Sequence, residues 1–497
     1  MRFRRTILLF FAGILSFSLC ACQENPSQRV VASKNDGSFD ISGIQSATVP
    51  SQQDRAQIRA SAAKNVHYSD TFTSTDDSVM FSLNLNKELY LDSFPIIEVK
   101  PHFLTTGDAK RVAEALFANA ELLEAQPLFA TEYSKSEIQE RINRWAHYST
   151  DAAIEELYGS PQNNAKNVIQ QFIADYTLRM ETAPEFTTQI PCQWSFKESW
   201  QYSYSEAQIK QEKLSLSRDK QICATTILDN VPYLYSVSTR NESDFKYNII
   251  SAVPAYGLSP CNIDTRILRA QLCRTPKPQE DQITSVKKTA TRMLEKMGLG
   301  DWMIDQCEVQ QTTYGEIDEY TICVQAVPQF NGAKAIRKPQ LSNLKSRNEF
   351  ASNYYLTDAK FIFSPDGILL GFELFSPVDI VSVVNKSPTV LSIEDLIDLA
   401  KRNLMLSDAY TYGFGNVMEE IGQEFDCNVS IDNIEYGLTR IKVPDTDAHY
   451  YYIPSLVLYG DIQYSIHETG EICFRNENVT LLNLNAVDGS IVPISNE

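Results

Sequence analysis

Three residues near the C-terminus have the types and spacing of a small metal site. Asp445, Asp447 and His449 alternate along the chain, so an extended backbone places all three side chains on one face. Carboxylate oxygens and an imidazole nitrogen are ligands for zinc or for a hard divalent cation. The alternative is a solvated loop that follows Pro444. Because nothing else in the chain indicates a cofactor, we predict none, and these three residues are the metal candidates.

The cysteines are the second group with distinctive chemistry. Eight follow the first 22 residues, and none lies in a CxxC or CxxH motif, which argues against a zinc ribbon or a thioredoxin-like redox site. An exported chain meets oxidising conditions, so the even number favours four disulfides, with buried free thiols as the alternative. We predict that nearest neighbours pair, and the eight residues are Cys192, Cys223, Cys261, Cys273, Cys307, Cys323, Cys427 and Cys473.

An aromatic stripe is the third candidate. Its members occupy even-numbered positions around Glu198, and they are Trp194, Phe196, Trp200, Tyr202 and Tyr204. In a strand they share one face, because successive side chains point to opposite sides of a sheet. Such a face can stack on sugar rings, so we take Trp194, Trp200, Tyr202 and Tyr204 as ligand-binding candidates. The alternative is that the stripe is the core side of a sheet.

No motif of an established catalytic class is present. The chain contains no GxSxG, HExxH, SxxK, Walker A or GxGxxG pattern. Its 63 acidic residues offer many carboxylate pairs of the kind that glycosidases use, but no feature singles out two of them. We therefore predict no catalytic residues and no enzymatic activity, with a carboxylate-dependent hydrolase as an alternative.

Composition and charge exclude several classes of protein. The chain has 497 residues, 43% of them hydrophobic, which is ordinary for a folded globular protein and not for a disordered or collagenous one. Its 44 basic and 63 acidic residues give a net charge of −19. Nucleic-acid binders normally present a basic surface, so we expect no nucleic-acid partner.

The N-terminus has the layout of an export signal. Positive residues at 2, 4 and 5 precede a mostly apolar stretch over 7–19, which is too short to span a bilayer. The stretch ends in Leu19-Cys20-Ala21-Cys22, which resembles the bacterial lipobox. This resemblance implies a signal peptide over 1–21, diacylglycerol on Cys22 with further acyl chains such as palmitate, and a mature protein held at the membrane. The alternative is a plain secreted precursor cut nearby.

The remainder of the chain predicts an α+β organisation. Residues 22–65 are polar without periodicity and predict a flexible tether. We expect an N-terminal α+β domain with three helices over 66–187 and a β-rich block over 188–280. Two similar units follow over 281–380 and 390–497, each with an amphipathic helix and an Asp-Gly hairpin turn. Capping boxes predict helix starts at Thr105 with Asp108 and at Ser134 with Glu137.

Two short segments of the C-terminal half resemble known families. The sequence NLNAVDGSIV at 483–492, which follows a helix and strands, resembles PepSY-type modules, and Tyr451-Tyr452-Ile453-Pro454-Ser455-Leu456-Val457 is similar to extracytoplasmic Yyc-family regulators. The whole plan also resembles large uncharacterised lipoproteins of Firmicutes of the Clostridia type. The module resemblance implies a helix across a curved antiparallel sheet, and a regulatory or inhibitory binding role outside the membrane.

Together these features predict a lipid-anchored protein on the extracytoplasmic face of the cell membrane. Its expected role is non-catalytic binding, scaffolding or regulation in the cell envelope, with an envelope protein or polymer as partner. A carbohydrate- or wall-polymer-binding surface protein that uses the aromatic stripe is an alternative.

Overall fold

The computed structural model describes residues 63–90, 94–118, 120–125, 133–159, 164–187, 189–198, 220–241, 246–255, 263–330, 332–337, 357–406, 424–442 and 449–492. Of these residues, 27% are in helices and 47% in strands. The protein is therefore α+β, as predicted, with strands dominating. The signal peptide, the lipobox and nearly all of the predicted tether lie outside the described residues, as do Cys261, Trp200, Tyr202, Tyr204, Asp445 and Asp447.

The described part of the chain contains seven helices and seventeen strands. The helices are α1 Thr106–Phe117, α2 Lys135–His147, α3 Asp151–Tyr158, α4 Ala165–Met180, α5 Ile263–Cys273, α6 Glu280–Lys296 and α7 Ile393–Leu406. The strands are β1 Ala63–Thr73, β2 Val79–Tyr90, β3 Ile96–Pro101, β4 Leu123–Glu124, β5 Lys197–Glu198, β6 Lys220–Leu228, β7 Val231–Asn241, β8 Lys246–Pro254, β9 Trp302–Tyr314, β10 Ile317–Phe330, β11 Ala333–Lys334, β12 Asp358–Phe363, β13 Leu369–Phe375, β14 Val378–Asn385, β15 Phe425–Lys442, β16 Tyr450–Ile466 and β17 Ile472–Asn485.

These elements form two compact units, and each unit is built from separate stretches of sequence. The described residues of the first unit fall within Met1–Val99, Asn331–Glu349 and Ile380–Glu497, and those of the second within Lys100–Phe330 and Phe350–Asp379. These units are defined by contacts in space, and the predicted division along the chain stays a prediction. Sequence proximity is a poor guide here because strands that are distant in the chain pair in one sheet.

The first unit is organised by a sheet in the order β1-β2-β15-β16-β3-β14, with β17 also paired to β16. The side chains of strand β2 alternate between the two faces of the sheet, since Phe81 and Leu83 are buried and Met80 between Val79 and Phe81 is exposed. It pairs in parallel with β15, more than 300 residues further along the chain. The strands of the predicted C-terminal unit therefore share their sheet with strands from the N-terminal part.

The second unit has its own sheet, whose neighbouring strands follow the order β10-β12-β13-β8-β7-β6-β4. In addition, β9 pairs with β10, and β5 pairs with β6. Its core is aromatic, with the rings of Phe361 and Phe372 4.8 Å apart between centroids. The buried hydroxyl of Tyr235 donates to the carbonyl of Ala109 at 2.6 Å, which fixes α1 against the sheet. Helix α6 also packs against β9 and β10.

Local signals placed two helix starts and one hairpin turn correctly. Both predicted capping boxes are present, at the starts of α1 and α2. The Asp366-Gly367 turn closes the β12–β13 hairpin, with Gly367 at a φ of +85°. Two helices were not predicted: α3 is a short helix between α2 and α4, and α5 lies inside the predicted β-rich block. Charged residues stand among the apolar ones along α5, so its sequence shows neither a clear strand period nor a clear helix period. For this reason the helix was not predicted.

Candidate functional site

Helix α5 brings three arginines to one buried glutamate in the second unit. Arg266 and Arg269 lie on α5, Arg274 follows it, and Glu319 lies on β10. The side chains of Arg266 and Glu319 are completely buried, whereas those of Arg269 and Arg274 are 19% and 18% exposed to solvent. We call these four residues the arginine cluster.

The arginines hold both oxygens of the Glu319 carboxylate. Arg266 binds it through two parallel bonds, Nη1 to Oε2 at 2.9 Å and Nη2 to Oε1 at 2.8 Å. Arg269 donates from Nε to Oε2 and Arg274 from Nε to Oε1, each at 3.2 Å. Two-point pairing of guanidinium with carboxylate fixes direction as well as distance, so this is a rigid site.

The C-terminal end of α3 completes the surroundings of the arginine cluster. Arg266 Nη2 donates to the carbonyl of Leu157 at 2.7 Å, and Arg274 donates to the carbonyls of Leu157 and Glu156. These carbonyls are the negative end of the helix dipole, so they stabilise the positive charge. The guanidinium of Arg266 also lies 4.0 Å from the ring centroid of Tyr314, within cation–π range.

A close backbone contact positions α3 over the β9–β10 turn. Gly159 ends α3 with a φ of +67°, and a Cβ atom there would lie 1.8 Å from the carbonyl oxygen of Tyr314. Gly315, with a φ of +61°, would meet the carbonyl oxygen of Gly159 at 1.9 Å in the same way. Only glycine fits at both positions, and this contact holds the Leu157 carbonyl where the arginines need it.

The chemistry that this cluster can perform is charge recognition. Burial alone raises the pKa of Glu319, but Arg266, Arg269 and Arg274 outweigh it, so the pKa lies below its ordinary value. Glu319 therefore stays ionised, and arginine does not give up its proton at physiological pH. The cluster supplies fixed charges and donors, and no group in it is suited to proton transfer.

Asp264 on the same helix α5 makes a second charged contact, with α2. Its Oδ1 accepts from Trp145 Nε1 at 3.0 Å and from Arg144 Nε at 3.1 Å, and Arg141 lies 3.6 Å from Oδ2. The acid is in the first turn of α5, where the helix dipole favours it. Helix α5 thus links the helices to the sheet of the second unit.

His102 occupies a separate polar cluster in the second unit. Its Nε2 lies 3.0 Å from Asp108 and its Nδ1 lies 2.8 Å from Asp379, so both ring nitrogens contact carboxylates. Asp108 also closes the capping box of Thr105 and pairs with Arg111. Burial by itself lowers the pKa of His102, but hydrogen bonds and charge from the two carboxylates raise it overall. A histidine held on both sides in this way ties segments together and has no nitrogen left to act as a base.

We expect this histidine to make stability depend on pH. A raised pKa contributes stability below the ordinary value of about 6.5 and loses it as pH rises through the folded value. The lowered pKa of Asp108 contributes above its own ordinary value of about 3.9 and fails on acidification. The stability difference between wild type and His102→Gln should therefore be largest between about pH 4 and 6.5 and shrink towards pH 8. The unfolding midpoints of wild type and His102→Gln across this pH range measure the difference in stability. His147→Gln, at an exposed histidine, is the control. A stability difference that grows as pH rises would contradict the assignment.

Of the three predicted metal candidates, His449 is in the described residues. His449 lies in the first unit and contacts Glu98 through Nδ1 at 2.6 Å, and Ser382 donates to the other oxygen of Glu98. Asp445 and Asp447 lie outside the described residues. Within the described ranges, no group of three or more His, Cys, Asp or Glu side chains is arranged to hold a metal ion.

The aromatic candidates are described only in part. Trp194 and Phe196 are partly buried against the core of the second unit, and the ring of Trp194 lies 6.3 Å from Tyr235. For these two residues the arrangement matches the core side of a sheet. Trp200, Tyr202 and Tyr204 lie outside the described residues, so the platform as a whole stays a prediction.

The predicted disulfides are not formed in the structure. None of the seven described cysteines forms a disulfide: these are Cys192, Cys223, Cys273, Cys307, Cys323, Cys427 and Cys473. Cys307 pairs opposite Val324, one residue from Cys323, so the two thiols point to opposite faces of the sheet. Cys427 and Phe474 lie opposite Tyr464 on its two sides, which places Cys427 and Cys473 two strands apart. That separation, about 10 Å, exceeds the reach of a disulfide.

The first predicted pair fails for a similar reason. Strand β4 lies between the Cys192 segment and β6, because Leu123 is bridged to Pro191 on one side and pairs with Thr225 on the other. Burial raises the pKa of Cys192 to about 11 and that of Cys223 to about 12. Both thiols are therefore protonated at neutral pH and are poor nucleophiles. The second predicted pair, Cys261 with Cys273, includes a residue outside the described ranges.

We expect thiol labelling to follow burial. Alkylation of the native protein should modify the exposed Cys473 first, whereas the buried Cys223, Cys273 and Cys427 react only after unfolding. Alkylation in denaturant without reductant should label every described cysteine. Peptide mapping by mass spectrometry measures both results, and a peptide crosslinked through Cys307 and Cys323 would contradict the free-thiol state.

The arginine cluster was missed by sequence reasoning because its arginines are 45 to 53 residues away from Glu319 in the chain. Glu319 is fully buried in β10, but Asp318 before it and Thr321 after it are also polar, so the local sequence does not mark it. A charge at such a position needs a buried partner.

Comparisons with known proteins give little further information. No protein-family model matches the chain, and no curated protein is similar enough to count as a relative. A crystal structure of an uncharacterized protein from Eubacterium rectale is similar at 11% identity and a TM-score of 0.37, over 90% of this chain and all of that one. We draw no conclusion about fold or function from similarity at this level. No helix in the described part is long and apolar enough to cross a membrane.

Proposed function

We propose that this chain is a lipid-anchored extracytoplasmic protein with a non-catalytic binding or regulatory role in the cell envelope. The anchor is the lipid on Cys22, at the end of the lipobox-like sequence. The net charge of −19 suits a body held away from an anionic membrane surface. The partner is an envelope protein or polymer.

The observation that carries the binding role is the arginine cluster. It holds rigid, permanently charged groups close to the surface, and Glu319 beneath them stays ionised. Fixed charges in fixed positions suit recognition, whereas general acid–base catalysis needs a group whose pKa lies near the working pH. The buried thiols also have pKa values raised away from the range of a nucleophile.

The regulatory part of the proposal rests on the resemblance to PepSY-type modules and Yyc-family regulators. In the second unit, Val286, Ala290 and Leu294 of α6 are buried in the core beneath the sheet. Helix-on-sheet packing is the arrangement that the resemblance implies for 281–380, and many α+β folds share it. The strands involved continue into β8 and β7, so the unit extends beyond a single module.

The aromatic and hydrolase alternatives receive less support. Trp194 and Phe196 pack against the core of the second unit, which favours the core side of a sheet for this part of the stripe. Asp108 and Asp379 are the carboxylates that share one histidine, and both contact its ring rather than leaving space for a substrate between them.

Crosslinking in intact cells tests the binding role. A photoreactive crosslinker applied to cells that carry the tagged protein should give a discrete crosslinked species that is lost when export is blocked. Mass spectrometry and glycan analysis of that species separate a protein partner from a polymer. If the protein is recovered only uncrosslinked at every crosslinker length, the binding role is wrong.

A further inference from the structure

The guanidinium of Arg269 is only partly used by Glu319. Its Nε donates to Glu319, and its two Nη nitrogens have no hydrogen-bonding partner among the described residues. Arg266 and Arg274, in contrast, each use both Nη groups on Glu319 or on carbonyls of α3. Because its side chain keeps 19% exposure, Arg269 is the member of the cluster with unused donors that solvent can reach.

The arginine cluster also carries more positive charge than it neutralises. Three guanidiniums share a single carboxylate, and the other acceptors that they use are neutral carbonyls. Asp264 on the same helix is already engaged by Arg141 and Arg144. Clustered charge that is largely removed from water is costly unless an opposite charge compensates it.

The positions next to Glu319 on this face of the β9–β10 pair carry no carboxylate. Thr312 lies directly opposite Glu319, and Thr321 and Tyr314 lie on the same side of the sheet. Glu308 is also on this face, but it lies opposite Cys323, four positions along β10 from Glu319. Asp318 points to the other face, where it accepts from Thr313. The Glu156 side chain on α3 is exposed, and Arg274 uses only its backbone carbonyl.

One buried donor in the cluster is left without an acceptor. Nε of Arg266 is inaccessible to solvent and makes no hydrogen bond, although the side chain is completely buried. Buried donors are nearly always satisfied in folded proteins, so an unpaired one calls for an explanation. A ligand in solution cannot reach this donor, so Arg266 acts as uncompensated positive charge behind the partly exposed Arg269. An anion at Arg269 would compensate that charge.

We propose that Arg269 binds an oxyanion of the phosphate class, with the buried charge of Arg266 and Arg274 behind it. The two Nη nitrogens of Arg269 form the planar fork that matches two oxygens of such an anion. This proposal rests on the binding role proposed above and names the group that is recognised. Free inorganic phosphate and a phosphate ester carried by a polymer share this chemistry.

Calorimetric titration of the mature chain at constant ionic strength tests the proposal. Inorganic phosphate and glycerol phosphate are titrated separately, since the second represents an ester carried by a polymer. We expect one saturable site per chain for inorganic phosphate, about tenfold weaker or more in Arg269→Gln, which corresponds to about 1.4 kcal/mol. Binding of glycerol phosphate as well would identify the carried ester as a ligand, and binding of inorganic phosphate alone would identify the free ion.

The control is Arg292→Gln, which removes an exposed arginine of α6 in the same unit, and we expect its phosphate binding to be unchanged. Arg269→Lys keeps the charge and removes the fork, so it should bind more weakly than wild type. Absence of saturable phosphate binding to the wild-type chain overturns the proposal, whether or not the variants fold. Equal binding by wild type and a folded Arg269→Gln also overturns it. Neither result removes the crosslinked partner, so failure here is distinct from failure of the binding role.

Discussion

Replacing Glu319 by glutamine is expected to lower the free energy of unfolding of the second unit by about 3–5 kcal/mol. Glutamine has nearly the same shape, so the change is mainly the loss of one negative charge. Arg266 is completely buried beside it and would remain charged without a counter-ion. Removing one partner of a buried pair is far more costly than removing a surface pair, because the other charge stays out of water.

Tryptophan fluorescence during urea unfolding measures this loss selectively. The three tryptophans in the described residues, Trp145, Trp194 and Trp302, lie in the second unit, so their signal follows that unit. The control is Asp318→Asn on the adjacent residue, whose side chain pairs with Thr313 on the other face and should change stability by less than about 1 kcal/mol. A similarly small loss for Glu319→Gln would mean that the arginines do not depend on this carboxylate.

Replacing Gly159 by alanine is expected to cost at least about 2 kcal/mol in the same measurement. A non-glycine residue at a positive φ costs about 1–3 kcal/mol by itself. The added Cβ would also lie 1.8 Å from the carbonyl oxygen of Tyr314, so the backbone must move. That movement shifts the end of α3, which carries the Leu157 carbonyl used by Arg266.

Gly300→Ala is the matched control for this substitution. Gly300 also lies in the second unit, and a Cβ added there has no atom within 4 Å. We expect its stability to stay within about 0.5 kcal/mol of wild type. If Gly159→Ala were as mild as the control, the contact between α3 and the β9–β10 turn would not be needed for the fold.

Local structure was the part of the fold that the sequence predicted well. A capping box needs only two residues three positions apart, so Thr105 with Asp108 and Ser134 with Glu137 marked helix starts correctly. The alternation in β2 is equally local. Pairing between distant strands was not predictable, because β2 finds β15 through the packing of the whole first unit.

For the candidate site and the cysteines, too, the contacts between distant parts of the chain were not predictable from the sequence. The disulfide prediction failed on register, since a shift of one residue puts Cys307 and Cys323 on opposite faces. The local sequence does not determine which residues of β9 and β10 lie opposite each other. The arginine cluster depends on α5 packing over β10, so its arginines and Glu319 meet only in three dimensions.

The central claim of the proposed function is that Cys22 holds the protein at the membrane by its lipid, and metabolic labelling with radioactive palmitate tests it most directly. The matched variants are Cys22→Ser and Cys20→Ser, which change neighbouring cysteines of the same segment. We predict that wild type and Cys20→Ser are labelled and sediment with the membrane, whereas Cys22→Ser is unlabelled and is not retained by a lipid. Label on Cys22→Ser equal to that on wild type, or no label on wild type, would contradict the account.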